Sequence, residues 1–333
     1  MRIALAVSAF LLVASSSASS AFGTLSAAGQ DREHERITRN ALECGLAPGH
    51  VQPCFEPDSM DELAGTSGTF GAVGAPDNPV RGLITDPAAH CDDGDDFQDA
   101  AFPNYPGPSL VNALDLCRQW MEDSIAEAVA DARALIPVAG GNIASRELPT
   151  YISCTFTGTK GRAKCNVLED FGATLHAAQD FYSHTNWTDA MPAGAIAPDN
   201  PPGLGNIGAA PWLDLSNPLG PLPAGLISGC FGLVPESIYC NDGDPGQAGD
   251  LGARVKHEWL NKDKGTIDPW PPGAGTTVRG AADNNFENAV EAAVEDTIEK
   301  WQFLQDELDA YYGPVDGARM ACTLASDDPV ANC

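Results

Sequence analysis

Apolar side chains recur at helical spacing along several stretches of the chain, and they seldom alternate with the two-residue rhythm of a strand. Leu110, Ala113, Leu114, Cys117, Trp120, Met121 and Ile125 form one stripe, which predicts a helix from about Ser109 to Leu135. Phe286, Val290, Ala293, Val294, Ile298, Trp301, Leu304 and Leu308 form another and predict a helix over Ala281–Tyr312. Helices are also expected over Asn166–Ser183 and over 31–45, the latter with Asp31 as N-cap and Gly45 as stop. Residues 46–108 are rich in Gly, Pro and Asp and read as loop, with a short helix near Ser59–Leu63. Residues 148–166 read as a small hairpin. The stretch 190–250, crowded with Pro and Gly, reads as a long loop of the kind that is usually functional or mobile. The expected fold is mainly α, a single helical domain with long loops.

Composition adds a compartment. Arg2, followed by the apolar run Ile3–Ala14 and small residues up to Ala21, reads as a secretory signal peptide over residues 1–21. Residues 22–333 are then the mature, secreted or periplasmic domain. Ten cysteines fit an exported chain, and no CxxC pair points to a thiolate metal site. Their spacing favours five short-range disulfides, Cys44–Cys54, Cys91–Cys117, Cys154–Cys165, Cys230–Cys240 and Cys322–Cys333, although spacing alone proves no connectivity. A formal charge of −28 argues against a nucleic-acid groove. It leaves room for phosphodiester chemistry in a cleft whose field is reversed by bound cations.

The candidate chemistry sits in 171–188, FGATLHAAQDFYSHTNWT. His176, Asp180 and His184 stand at i, i+4 and i+8, which places them within an arc of about 80° on one helix face. Imidazole and carboxylate are ordinary zinc ligands, and an acid between two histidines suits bridging. The competing reading is a buried polar network that ties helices together. Apart from His50, the remaining histidines, His34, His90 and His257, also lie in acid-rich contexts, DREHER, AAHCDDGDD and VKHEWLNKD. The acids Asp92, Asp93, Asp95 and Asp96 lack the EF-hand register and read as a solvated loop. Asn186 begins a glycosylation sequon but is expected to be structural, because it overlaps the His/Asp motif. Trp187, Trp212, Phe231, Trp259 and Trp270 are candidates for a lipid-accepting mouth, with ordinary packing as the alternative.

LHAAQDFYSHTNW closely resembles the signature of the Het-C family, named for a fungal heterokaryon-incompatibility protein. EHERITRNAL, AHCDDGDD, LISGCFG and HEWLNKD resemble further segments of that family in the same order. More remotely, the layout is similar to zinc-dependent phospholipases C and single-strand-specific zinc nucleases. That resemblance implies a helical domain holding two or three zinc ions. It implies metal ligands at His34, Asp77, His90, His176, Asp180, His184 and His257, with Asp180 as the bridge and Asp86 as the alternative to Asp77. Those enzymes follow the last histidine with Glu four residues on, where this chain has Asn261; either Asp263 or Glu258 takes its place, or the third ion is absent. A free amino terminus as ligand would require cleavage close to Phe22. The implied function is a secreted, phospholipase C-like phosphodiester hydrolase with Asp77 as the catalytic base. It would act on a phospholipid or membrane-surface substrate rather than on nucleic acid. The alternative is a non-catalytic self/non-self recognition protein in which the metal cluster is structural and the partner is another protein.

Overall fold

The computed structural model describes residues 22–26, 30–95, 113–149, 154–231, 240 and 255–333. Among them the chain is helical, with isolated bridges in place of strands. The elements are α1 (Glu33–Leu42), α2 (Pro57–Ala64), α3 (Pro87–His90), α4 (Ala113–Ala132), α5 (Ala163–His184), α6 (His257–Leu260), α7 (Asn285–Tyr312), α8 (Pro314–Ala325) and α9 (Pro329–Asn332). Short 3-10 turns lie at Ala75–Asp77 and Ser145–Glu147.

The architecture centres on α5. Every one of its 22 residues except Asp170 is buried. Polar residues such as Lys164, Glu169, His176, Gln179 and Asp180 are buried along with the apolar ones, because α1, α2, α4, α7 and α8 all pack against the helix. The predicted stripe of α7 is buried along its whole length, from Phe286 to Leu308. Its Trp301 meets Phe171 of α5 and Phe55 in one continuous core. On α4, Leu114, Cys117, Met121 and Ile125 are buried as the pattern requires.

Several boundaries differ from expectation. Helix α1 begins at Glu33, after Arg32 in the left-handed region (φ 59°), and Asp31 caps nothing; the Asp31 amide instead donates to the Glu33 carboxylate at 3.0 Å. Gly45 (φ 97°) falls in the turn beyond the helix end at Leu42. The hairpin over 148–166 does not form among the described residues. Cys154–Arg162 is irregular, and α5 already begins at Ala163. Helix α7 begins at Asn285 rather than Ala281, because Asp283 and Asn284 both adopt positive φ and break the helical path. The Pro314–Ala325 helix had no counterpart in the sequence reading. Residues 1–21, the candidate signal peptide, and 109–112 at the expected start of the α4 helix lie outside the described residues.

All five short-range cysteine pairs are disulfides, and no described cysteine is free. Such a complement fits an oxidising compartment. No helix among the described residues is long and apolar enough to cross a membrane.

Candidate metal centre

Helix α5 carries three of the polar residues at the heart of the molecule, and the segments around it deliver the rest. Gly172 lets the 72–77 segment lie directly on α5; a β-carbon there would stand 2.4 Å from the Ala72 carbonyl carbon. That approach brings the Val73 carbonyl within 2.9 Å of His176 Nδ1 and places Asp77 beside the same ring. Helix α1 contributes His34, α3 contributes His90, and α6 contributes His257, whose backbone lies so close to Gly229 that a β-carbon on Gly229 would meet it at 2.3 Å.

The side chains form three buried groups: His34, His176 and Asp180; Asp77, His90 and His176; and Asp92, His184 and His257. Asp180 joins the first two. Its Oδ1 lies 3.2 Å from His34 Nε2, and its Oδ2 lies 2.9 Å from His90 Nδ1 and 3.0 Å from His176 Nε2. In the third group His184 Nδ1 is 3.0 Å from Asp92 Oδ1. Asp263 faces the same ring from the other side, with Oδ1 3.3 Å from Nε2, and is held by the Ser183 hydroxyl at 2.5 Å. Its other oxygen is 3.8 Å from His257 Nε2.

The far sides of the rings define their tautomers. A carbonyl oxygen only accepts, so His176 Nδ1, His90 Nε2 (3.2 Å from Leu83 O) and His184 Nδ1 (3.0 Å from His90 O) must each carry a hydrogen. His34 Nδ1 donates to Gln179 Oε1 at 2.7 Å, and the Gln179 amide is oriented by donating to the Thr38 and Thr297 hydroxyls. Each neutral ring then presents a lone pair on its other nitrogen. His176 Nε2 and His90 Nδ1 consequently face each other at 3.0 Å, both against Asp180 Oδ2. Three acceptors at hydrogen-bond distance repel unless a cation lies among them. The first candidate is a proton. Burial lowers the His90 pKa, but Asp180, reinforced by Asp77 and Asp92, outweighs it and raises the value to about 9. Burial works to raise the Asp180 pKa, yet His176, His184 and His34 drive it well below the carboxylate range. Burial also opposes protonation of His184 and His34; Asp92 and Asp180 in the first case, and Asp180 in the second, hold both above the ordinary value. His176 is shifted down, by burial first and then by His34.

A divalent cation is the second candidate. Buried His34 Nε2, Asp77 Oδ1, Asp92 Oδ1, Asp180 Oδ1, His184 Nε2 and Asp263 Oδ2 make no aligned hydrogen bond. Unsatisfied buried polar atoms of this kind call for a reason. Nitrogen and carboxylate oxygen are the donor set of zinc, and hydrogen bonding of the far ring nitrogen to a carbonyl is the usual support of a metal-ligating histidine. The residues therefore fit bound ions. Asp77, His90, Asp92, His184 and His257 face one narrow cavity bordered by Ile84 and Phe231, with room for about one water-sized body.

All eight ligand positions expected from sequence lie in this assembly. Asp86 does not, because it caps Ala88 at the start of α3, and exposed Glu258 pairs with Lys256. Asp92 is a correction: the run it belongs to read as a solvated loop, whereas Asp92 and Asp95 are buried and Asp96 lies outside the described residues. Its signal was position, two residues after His90 and next to a cysteine that disulfide formation buries. Gln179 was also overlooked. Asn186 is fully buried, donating to the Pro202 and Gly225 carbonyls, which excludes a glycan on it. Of the five aromatics considered for a mouth, Phe231 alone borders the cavity; Trp187 and Trp212 pack against Phe181. Phe22 is buried edge-on to His34, and the Thr24 hydroxyl donates to Asp77 Oδ2 at 2.5 Å. No protein-family model, curated protein or solved structure matches the chain.

Proposed function

We propose that this chain is a secreted, metal-dependent phosphodiester hydrolase of the phospholipase C-like kind, built on a centre of two or three zinc ions. One observation carries the reading: His90 Nδ1, His176 Nε2 and Asp180 Oδ2 converge within 3.0 Å of one another as acceptors, while the other ring nitrogens are committed to carbonyls. In this reading His34, Asp77, His90, His176 and Asp180 hold one cluster, with Asp180 bridging, and Asp92, His184, His257 and Asp263 hold the remaining ion. Bound ions of this type supply a water of lowered pKa, about 7 for zinc, and offset charge on a phosphate. Asp77 is the base. Its carboxylate lies on the cavity side of the cluster and is oriented by Thr24. The strongly acidic surface favours a zwitterionic phospholipid at a membrane surface over a long polyanion. The remote similarity of the layout to zinc-dependent phospholipases C supports the same choice, whereas the Het-C resemblance of LHAAQDFYSHTNW points to recognition rather than to a reaction.

Burial favours a second reading. His34, His176, Asp180, His184 and Asp263 are almost wholly enclosed, and closed coordination by protein ligands is the habit of structural sites. A recognition protein, with the cluster holding its loops for a protein partner, follows from that. Phosphatidylcholine and single-stranded nucleic acid offered side by side to the zinc-loaded chain separate the two. The hydrolase reading expects turnover of the lipid and its loss by at least about a hundredfold in Asp77→Asn. Bound zinc with no turnover of either substrate would leave the recognition reading.

A further inference from the structure

The segment that brings His90 and Asp92 to the centre is fastened covalently at the residue between them. Helix α3 is four residues long, far below the length at which a helix sustains itself. Cys91 follows it at φ 54°, a left-handed conformation that a residue with a β-carbon adopts only when its surroundings impose it. The reversal there sends neighbouring side chains to different groups: His90 to Asp180 and His176, Asp92 to His184. Cys91 Sγ is bonded to Cys117 on α4, and both residues are fully buried. The ligands His90 and Asp92 are therefore tied covalently to α4 by this bond, in addition to the packing of α3 on α4 and α5 and the backbone hydrogen bonds Asp93 N–Gly229 O and Ser228 N–Gly94 O. Cys44–Cys54 and Cys154–Cys165 have no such neighbours; the residues beside them are not ligands of the centre.

We propose that Cys91–Cys117 is a redox lock on the metal centre: the oxidised chain holds the His90 and Asp92 groups closed, and reduction by a dithiol opens them. The inference rests on the metal-binding reading of the site. In the exchange a thiolate of the dithiol attacks one sulfur and forms a mixed disulfide, which its second thiol resolves. Two electrons and two protons pass to Cys91 and Cys117, and the dithiol leaves as its own disulfide. The His34–His176–Asp180 group contains neither His90 nor Asp92 and survives the opening. The centre is thereby complete only after the chain has reached an oxidising compartment. Linkage runs in both directions, so bound ions protect the disulfide by the same coupling through which the disulfide holds the ions.

The test compares zinc binding by the oxidised chain, by Cys91→Ala/Cys117→Ala and by Cys44→Ala/Cys54→Ala, with far-UV circular dichroism on each. The expected result is partial loss in the first variant, with the ions of the His90 and Asp92 groups weakened at least about tenfold, the scale of a lost support to a metal ligand. The second variant should bind as the parent does. A second readout needs no variant: the rate at which tris(2-carboxyethyl)phosphine reduces Cys91–Cys117, followed by alkylation and peptide mapping. Both sulfurs are buried, so reduction proceeds from an opened form; zinc in about tenfold excess over its Kd depletes that form and should slow the rate at least about fivefold relative to the chelator-treated chain. Unchanged zinc affinity in a folded Cys91→Ala/Cys117→Ala variant overturns the proposal. If that variant loses its helical signal, the reduction rate decides, and equal rates with and without zinc overturn it. Absence of zinc from the oxidised parent overturns the metal reading itself, a failure distinct from intact binding that ignores the disulfide.

Discussion

Asp180 is the residue on which the centre turns. It is fully buried and touches His34, His90 and His176 at once. Replacing it by Ala removes the shared carboxylate and leaves buried imidazoles without their counter-charge. Loss of one partner from such a pair costs about 3–5 kcal/mol. The expected outcome for Asp180→Ala is metal content reduced below the parent's together with a fall in stability of that order, read by metal analysis and urea unfolding. Protonation gives a second residue-scale expectation. With His90 raised to about 9, the metal-free chain carries a proton there at pH 7 that an incoming ion must displace. Zinc uptake should release protons, and affinity should climb as pH rises from 7 towards 9; titration in buffers of different ionisation enthalpy measures both. Stability of the metal-free chain runs the other way. A raised histidine pKa stabilises fully below about 6.5, and that contribution is lost as pH rises through about 9. The Glu33 carboxyl, raised by burial to about 7, also makes stability fall as pH rises from 4.5 to about 7. The depressed Asp180 contributes above its unfolded value of 3.8 and loses that contribution as pH falls through its folded one. The metal-free chain should therefore be most stable in mild acid.

At the scale of elements, the site depends on how closely α5 is approached. Gly172→Ala sets two effects against each other. Relief of a helical glycine gains about 1 kcal/mol, whereas a β-carbon 2.4 Å from the Ala72 backbone forces the 72–77 segment away and costs about 1–3 kcal/mol. The contact is with backbone and cannot swing aside, so the clash wins. The variant should be less stable and bind zinc more weakly, because Val73 and Asp77 move with the segment; thermal unfolding with and without zinc checks both. The same elements show what was legible in the sequence. Helical periodicity located α4, α5 and α7 because their apolar faces are long. It missed their ends, where positive φ at Asp283 and Asn284 or an irregular run before Ala163 breaks the pattern. The shared face of His176, Asp180 and His184 could be read from their spacing on α5. Asp92 could not, because an acid in an acidic run looks solvated until a disulfide draws its neighbour into the core. Gln179 was hidden for a related reason: its role lies in orienting His34 and exists only once α1 and α5 meet.

For the whole molecule, five disulfides pin the irregular segments around a central helix that is buried on nearly every side. This arrangement lets a chain of −28 formal charge gather several of its acidic groups around one interior point, beside imidazoles with which they form groups able to hold a metal ion. In the proposed function these lone pairs surround metal rather than protons. Zinc-edge anomalous diffraction from crystals of the oxidised chain tests it most directly. A peak is expected about 2.0–2.2 Å from His90 Nδ1, His176 Nε2 or Asp180, with a separate peak between His184 and His257. A map with no peak in either place, from crystals grown with zinc, would mean that the rings share only protons and that the cluster is a polar tie between helices.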